Sequence, residues 1–144
     1  MKKKSKRIAD DLRNNMPETF DQMIADEIKG RRFEVYTDGS HSDNASGCAW
    51  VILYKGVVYK TGRKKLSPNI DSVEAEIRAV THALSDCPSF YSLDVYIDCQ
   101  VAIKKLQKTK LNVKRQVVRL HWLKAHQGNI YNELADYLAR RSCD

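Results

Sequence analysis

Through the first thirty residues an apolar side chain recurs at every fourth position: Ile8, Leu12, Met16, Phe20, Ile24 and Ile28. That period lays one apolar stripe along a helix. Pro17 interrupts it, so the segment reads as one helix or two short ones, and Gly30 is placed to end it. At Arg32 the pattern changes. Phe33 to Asp38 alternates, is rich in strand formers and stops at Gly39-Ser40. After a polar loop from His41 to Ser46, Gly47 to Tyr54 is mostly apolar, the pattern of a strand covered on both faces. Lys55-Gly56 suits a tight turn, and Val57 to Lys65 reads as the returning strand. Three antiparallel strands in succession make a meander.

The period then switches to the helical one. Ser72 is placed as an N-cap, followed by Val73, Ile77, Val80 and Leu84, and Cys87-Pro88-Ser89 ends the helix. Leu93 to Asp98 is a fourth strand, Cys99 to Lys108 a second helix and Gln116 to Leu123 a fifth strand. A loop runs from Lys124 to Ile130. The last helix spans Tyr131 to Arg141, with Leu134, Tyr137, Leu138 and Arg141 at helical spacing. The order β-β-β-α-β-α-β-α predicts an α/β domain over 31–144, a five-stranded mixed sheet with helices on both faces, preceded by an N-terminal helical extension or leader over 1–30.

In open α/β sheets, sites form beyond the carboxyl ends of strands near a change in strand order. Asp38 and Asp98 each end a strand, so parallel neighbours would bring them to one edge. Glu76 and Asp136 lie on helices. Glu76 is preferred over Glu74 because Ala79 and Ala83 share its side of the helix, and small neighbours allow close packing on the sheet. Four converging carboxylates would make an all-oxygen site for hard divalent cations. Singly, each has an ordinary explanation: Asp38 as a turn former, Asp98 as a cap of the next helix, Asp136 as a solvated helix charge.

Composition narrows the class. The chain of 144 residues has a formal net charge of +7 and a pI near 9.3, a balance that favours a polyanionic partner such as nucleic acid. No apolar run is long enough for a transmembrane span, and the basic start, Met1 to Arg7, has no apolar signal core behind it. Cys48, Cys87, Cys99 and Cys143 form no CxxC pair and show no zinc-type spacing, so free thiols and a cytoplasmic location are expected.

Several motifs, in order, resemble type 1 ribonuclease H over about Phe33 to Arg141. Tyr36-Thr37-Asp38-Gly39-Ser40 matches the first-strand motif, and Glu74-Ala75-Glu76-Ile77-Arg78-Ala79 the start of the first helix. Tyr96-Ile97-Asp98-Cys99-Gln100 is similar to an Asp-Ser-Gln motif with Cys in place of Ser. Trp122 to Asn129 resembles the loop carrying a mobile histidine, here His126, and Asn132 to Asp136 matches the final helix.

The resemblance implies cleavage of the RNA strand of RNA–DNA hybrids with two Mg²⁺ ions, Mn²⁺ substituting, leaving 5′-phosphate and 3′-hydroxyl ends. It implies Asp38 as the bridging ligand and Asp98 and Asp136 on the ion that activates water. Glu76 would serve the other ion and the adjacent sugar, and His126 proton transfer or product release. Gly39, Asn44, Glu76, Gln100 and Asn132 are candidates by position for reading the two sugars of a hybrid. A monomer with no membrane partner is expected. Two departures stand out. Asp98 and Trp122 are 24 positions apart, too few for the basic helical protrusion of many bacterial members, although a basic run from Lys104 to Arg115 lies there. Ser72 and Val73 replace a pair of asparagines before the catalytic glutamate. The alternatives are a junction resolvase-like nuclease of the same superfamily and a non-catalytic hybrid-binding module.

Overall fold

The computed structural model describes residues 31–109, 111, 116–124 and 127–144. Strand β1 (Arg32–His41), β2 (Ser46–Tyr54) and β3 (Val57–Leu66) form the meander. Helix α1 (Ser72–Asp86), β4 (Ser92–Ile97), α2 (Gln100–Gln107), β5 (Val117–Trp122) and α3 (Ile130–Arg141) follow. The sheet order is β3-β2-β1-β4-β5, with β1 central, antiparallel to β2 and parallel to β4, which is parallel to β5. This is the ribonuclease H-like topology expected, with helices on both faces.

Alternation along the strands builds two cores. Phe33, Val35, Ile52, Leu93, Val95 and Ile97 point to the side covered by α1 and α2, where Val80, Leu84 and Leu106 meet them. Tyr36, Val51 and Leu53 point to the side covered by α3, where Ala135 packs. β2 is buried along nearly its whole length, as its apolar run demands. Each large aliphatic side chain buried here contributes about 1.5–3 kcal/mol.

Three details correct the sequence reading. The cap of α1 is Asp71, whose Oδ1 accepts from the Glu74 N–H at 2.8 Å, and Ser72 is the first helical residue. The cap of α2 is Cys99, whose Sγ accepts from the Ala102 N–H at 3.4 Å, so Asp98 is released from capping. In α3 the buried face is Asn132, Ala135 and Ala139, while Tyr137 is exposed. The cause is Gly47 on β2, where an added Cβ would lie 2.5 Å from the Ala139 carbonyl oxygen. Only small residues fit at so close an approach, and Leu134 and Leu138 flank the contact half-buried.

All four cysteines are free thiols, as expected. Among the described residues no helix is long and apolar enough to cross a membrane. The leader over 1–30 and its proposed helix lie outside the described residues.

Candidate active site

The geometry of the site follows from unequal ladders. β1 pairs with β2 as far as His41, but with β4 only as far as Thr37, which stands opposite Ile97. Asp38 and Asp98 are therefore the first residues beyond the parallel ladder, on adjacent strands, at the same edge. Asp38 is almost fully buried and accepts from the Gly39 N–H at 2.9 Å. Glu76 reaches the same place from the first turns of α1 and is also buried. Asp38, Glu76 and Asp98 each offer an oxygen, all within 4.8 Å of one another.

Gly39 makes this convergence possible. A Cβ there would lie 2.5 Å from the Glu76 backbone nitrogen and 2.7 Å from the Ala75 carbonyl carbon. The bare backbone lets α1 settle onto β1 with Glu76 facing Asp38. Ala75, Ala79 and Ala83 are likewise fully buried against the sheet. Glu74 points away and pairs with Arg78 in a half-exposed i,i+4 contact, and of the two only Glu76 reaches the cluster.

Asp136 comes from α3. Its carboxyl faces Asp38 and pairs with Arg140 one turn on, and it stands outside the group formed by Asp38, Glu76 and Asp98. Asn132, one turn earlier and buried, directs its Nδ2 to Asp98 Oδ2 at 3.4 Å. It caps nothing; the cap of α3 is Asn129, which accepts from the Tyr131 and Asn132 N–H groups and hydrogen-bonds with Tyr36. Asn129 and Arg140 escaped the sequence reading. Arg140 was signalled only by its i+4 spacing from Asp136.

The remaining predicted residues stand outside the carboxylate group. Asn44 is exposed in the β1–β2 loop and Gln100 is exposed at the start of α2. His126 lies outside the described residues. The other histidines make contacts away from the carboxylates: His41 bonds Ser46, His82 stacks on Trp50, and His121 bonds Asp94.

Burial, then the facing Glu76 and Asp98 carboxylates, pushes Asp38 far above the usual carboxylate range. Burial also raises Glu76, helped by the charge of Asp98 and opposed by hydrogen bonds from Asp38 and the Gly39 N–H. Like charges this close resist joint ionisation. One oxygen of Glu76, Oε2, is buried with no hydrogen-bond partner among the described residues. A bound cation would satisfy that oxygen and neutralise the cluster, and an all-carboxylate donor set suits Mg²⁺ or Mn²⁺ rather than a thiolate-seeking metal.

A basic row lies level with the carboxylates. Arg63, Lys64 and Lys65 of β3 pair with Ala49, Cys48 and Gly47 of β2, which in turn pair with Asp38, Gly39 and Ser40. Two strand spacings, about 10 Å, separate the rows.

Comparison with known proteins agrees with this architecture. The RNase H family model matches residues 30–116. A ribonuclease H of Ehrlichia ruminantium is 31% identical over 136 residues, covering 74% of this chain and 90% of its own length. One from Paramagnetospirillum magneticum is 29% identical, covering 78% and 90%. Among solved structures, an N-terminal RNase H domain from Mycobacterium tuberculosis, fused to maltose binding protein, superposes with a TM-score of 0.58 at 16% identity, over 78% of this chain and 94% of its own; that likeness speaks to the fold. A family match across more than half the sequence, joined to so similar a relative, places the chain in the ribonuclease H family, whose members are metal-dependent hydrolases.

Proposed function

We propose that the protein cuts the RNA strand of RNA–DNA hybrids endonucleolytically, leaving 5′-phosphate and 3′-hydroxyl ends. The observation that carries this reading is the meeting of Asp38, Glu76 and Asp98 within 4.8 Å at the end of the parallel ladder. Two divalent ions, Mg²⁺ with Mn²⁺ as substitute, supply Lewis acidity and an activated water when bound. Asp38, Glu76, Asp98 and Asp136 would hold the ions, with Asp98 and Asp136 serving the activated water, Glu76 the leaving group and Asp38 both. Asn132 holds Asp98 in place. His126 is assigned to protonate the leaving 3′-oxygen or to speed product release.

The basic row of β3 supports a duplex laid across the site, since side chains about 10 Å from the carboxylates can engage the strand that is not cut. Gly39, Asn44 and Gln100 rim the same edge and are assigned to contacts with the sugars. Residues 31–144 form the catalytic unit in this reading, acting as a monomer.

The test is incubation with labelled hybrid, duplex DNA, duplex RNA and a four-way junction, with Mg²⁺ or Mn²⁺, beside Asp98→Asn. Hybrid cutting in the RNA strand, reduced roughly 100-fold or more by Asp98→Asn, is expected. Junction cutting without hybrid cutting would overturn the substrate, and equal cutting by the variant would overturn the metal site. Binding without cutting would leave only a hybrid-binding module.

A further inference from the structure

The first core is open to solvent between α2 and β5. A cavity of about 480 Å³ opens there, floored by Leu106, Leu111, Val118 and Leu120. Of these only Leu106 is fully buried, and the other three are half-covered members of the core's edge. Helix α2 has eight residues and is too short to roof both β4 and β5. Lys104 and Lys105 on it, and Lys108 at its C-cap, stand exposed.

We propose that residues 17–29 of this chain dock in this groove as an amphipathic helix that completes the core. Four features of the chain point to that occupant. Phe20, Met23, Ile24 and Ile28 fall on one face at helical spacing and have no role in the site. Pro17 suits the first turn of such a helix and Gly30 its end. The segment carries Glu18, Asp21, Asp26 and Glu27 against a single Lys29, a charge complementary to the three lysines of α2 and its C-cap. The fourth is reach. Arg32 is paired with Ser92, and Ser92 with Val117, so the segment enters the sheet two strand spacings, about 10 Å, from the start of β5. Thirteen helical residues span about 20 Å, close to the length of the six-residue β5.

The groove lies by the C-terminal end of α2 and the start of β5, whereas the carboxylates lie beyond the ends of β1 and β4, so docking serves stability rather than chemistry. In the full chain, Phe20→Asp combined with Ile24→Asp is expected to lower the thermal midpoint by roughly 5 °C or more. Backbone hydrogen exchange in β5 should speed up at least tenfold, while hybrid cutting per folded molecule stays within about twofold. As a second measurement, Ile24→Cys or Phe20→Cys paired with Leu120→Cys should form an intramolecular disulfide on mild oxidation. Gln22→Cys, on the opposite helix face, should not. An unchanged midpoint with no cross-link overturns the proposal. A cross-link solely between two molecules replaces the occupant with a second copy. Lost hybrid affinity at an unchanged midpoint makes the segment a substrate-binding arm.

Discussion

Asp38→Asn removes the most deeply buried carboxyl of the cluster and keeps its shape. The amide oxygen still accepts from the Gly39 N–H, and the new NH₂ can donate to Glu76. Glu76 is pushed from its ordinary 4.5 up to about 8, by burial first and then by the charge of Asp98. A carboxyl raised in the folded state favours folding while it stays protonated. Its contribution is full below about pH 4 and is lost as the pH climbs toward the folded value, because the unfolded chain ionises first. Near pH 7, suppressed ionisation of one such group costs about 3 kcal/mol at about 1.4 kcal/mol per pH unit, and water reaching the cluster reduces this to roughly 1–3 kcal/mol. Removing Asp38's own ionisation relieves a penalty of that order. In chelator at about pH 8, the variant should therefore melt roughly 5 °C above the wild type, and at about pH 4 the two should coincide. Millimolar Mg²⁺ should reverse the order by stabilising only the intact cluster. Thermal unfolding followed by circular dichroism reads all three. A wild type that melts at or above the variant in chelator at about pH 8 would refute the reasoning.

Three further outcomes follow from the geometry. Glu76→Gln should reduce hybrid cutting roughly 100-fold or more, whereas Glu74→Gln, which only breaks an exposed pair with Arg78, should leave it within about twofold in a single-turnover assay. Gly39→Ala should push the start of α1 off β1, lowering stability by about 2 kcal/mol and cutting rate together, as read by denaturant unfolding and turnover. At the far end of β4, burial tends to raise Asp94, but bonds from His121 and Arg119 and the charge of Arg32 outweigh it and hold it below the usual carboxylate range. Its stabilisation is present above the unfolded value near pH 4 and is lost as the pH falls through the folded one. Asp94→Asn should cost about 1–3 kcal/mol at neutral pH and flatten the acid limb of a stability profile.

The element order was legible because the apolar period changes cleanly at Arg32 and again near Ser72, and because Pro88 and Gly56 mark breaks. Asp38 and Asp98 were legible as strand ends, and their meeting required only that the strands be parallel neighbours. Capping was misread where two good caps stand side by side: Asp71 and Ser72 both qualify, and reach to the Glu74 N–H decides between them. The buried face of α3 was misread because its packing partner, Gly47, is far away in sequence, and no helical period can register a missing side chain on a neighbouring strand. The sequence places Asn132 among the candidates for a sugar contact, yet it is buried with its amide turned to Asp98, a direction that depends on how α3 crosses the sheet.

The unequal ladders of β1 also have a mechanical consequence. Residues 38–41 project past β4 like a short cantilever, held edgewise by β2 alone. Such a strand tip would ordinarily fray. Here the two-stranded tip is gripped from both faces, by α1 bearing on Gly39 and by α3 bearing on Gly47, which lies beside Ser40. The two glycines act as seats into which the helices sink. Asp38, at the root of the projection, is thereby held as stiffly as a residue in the middle of the sheet.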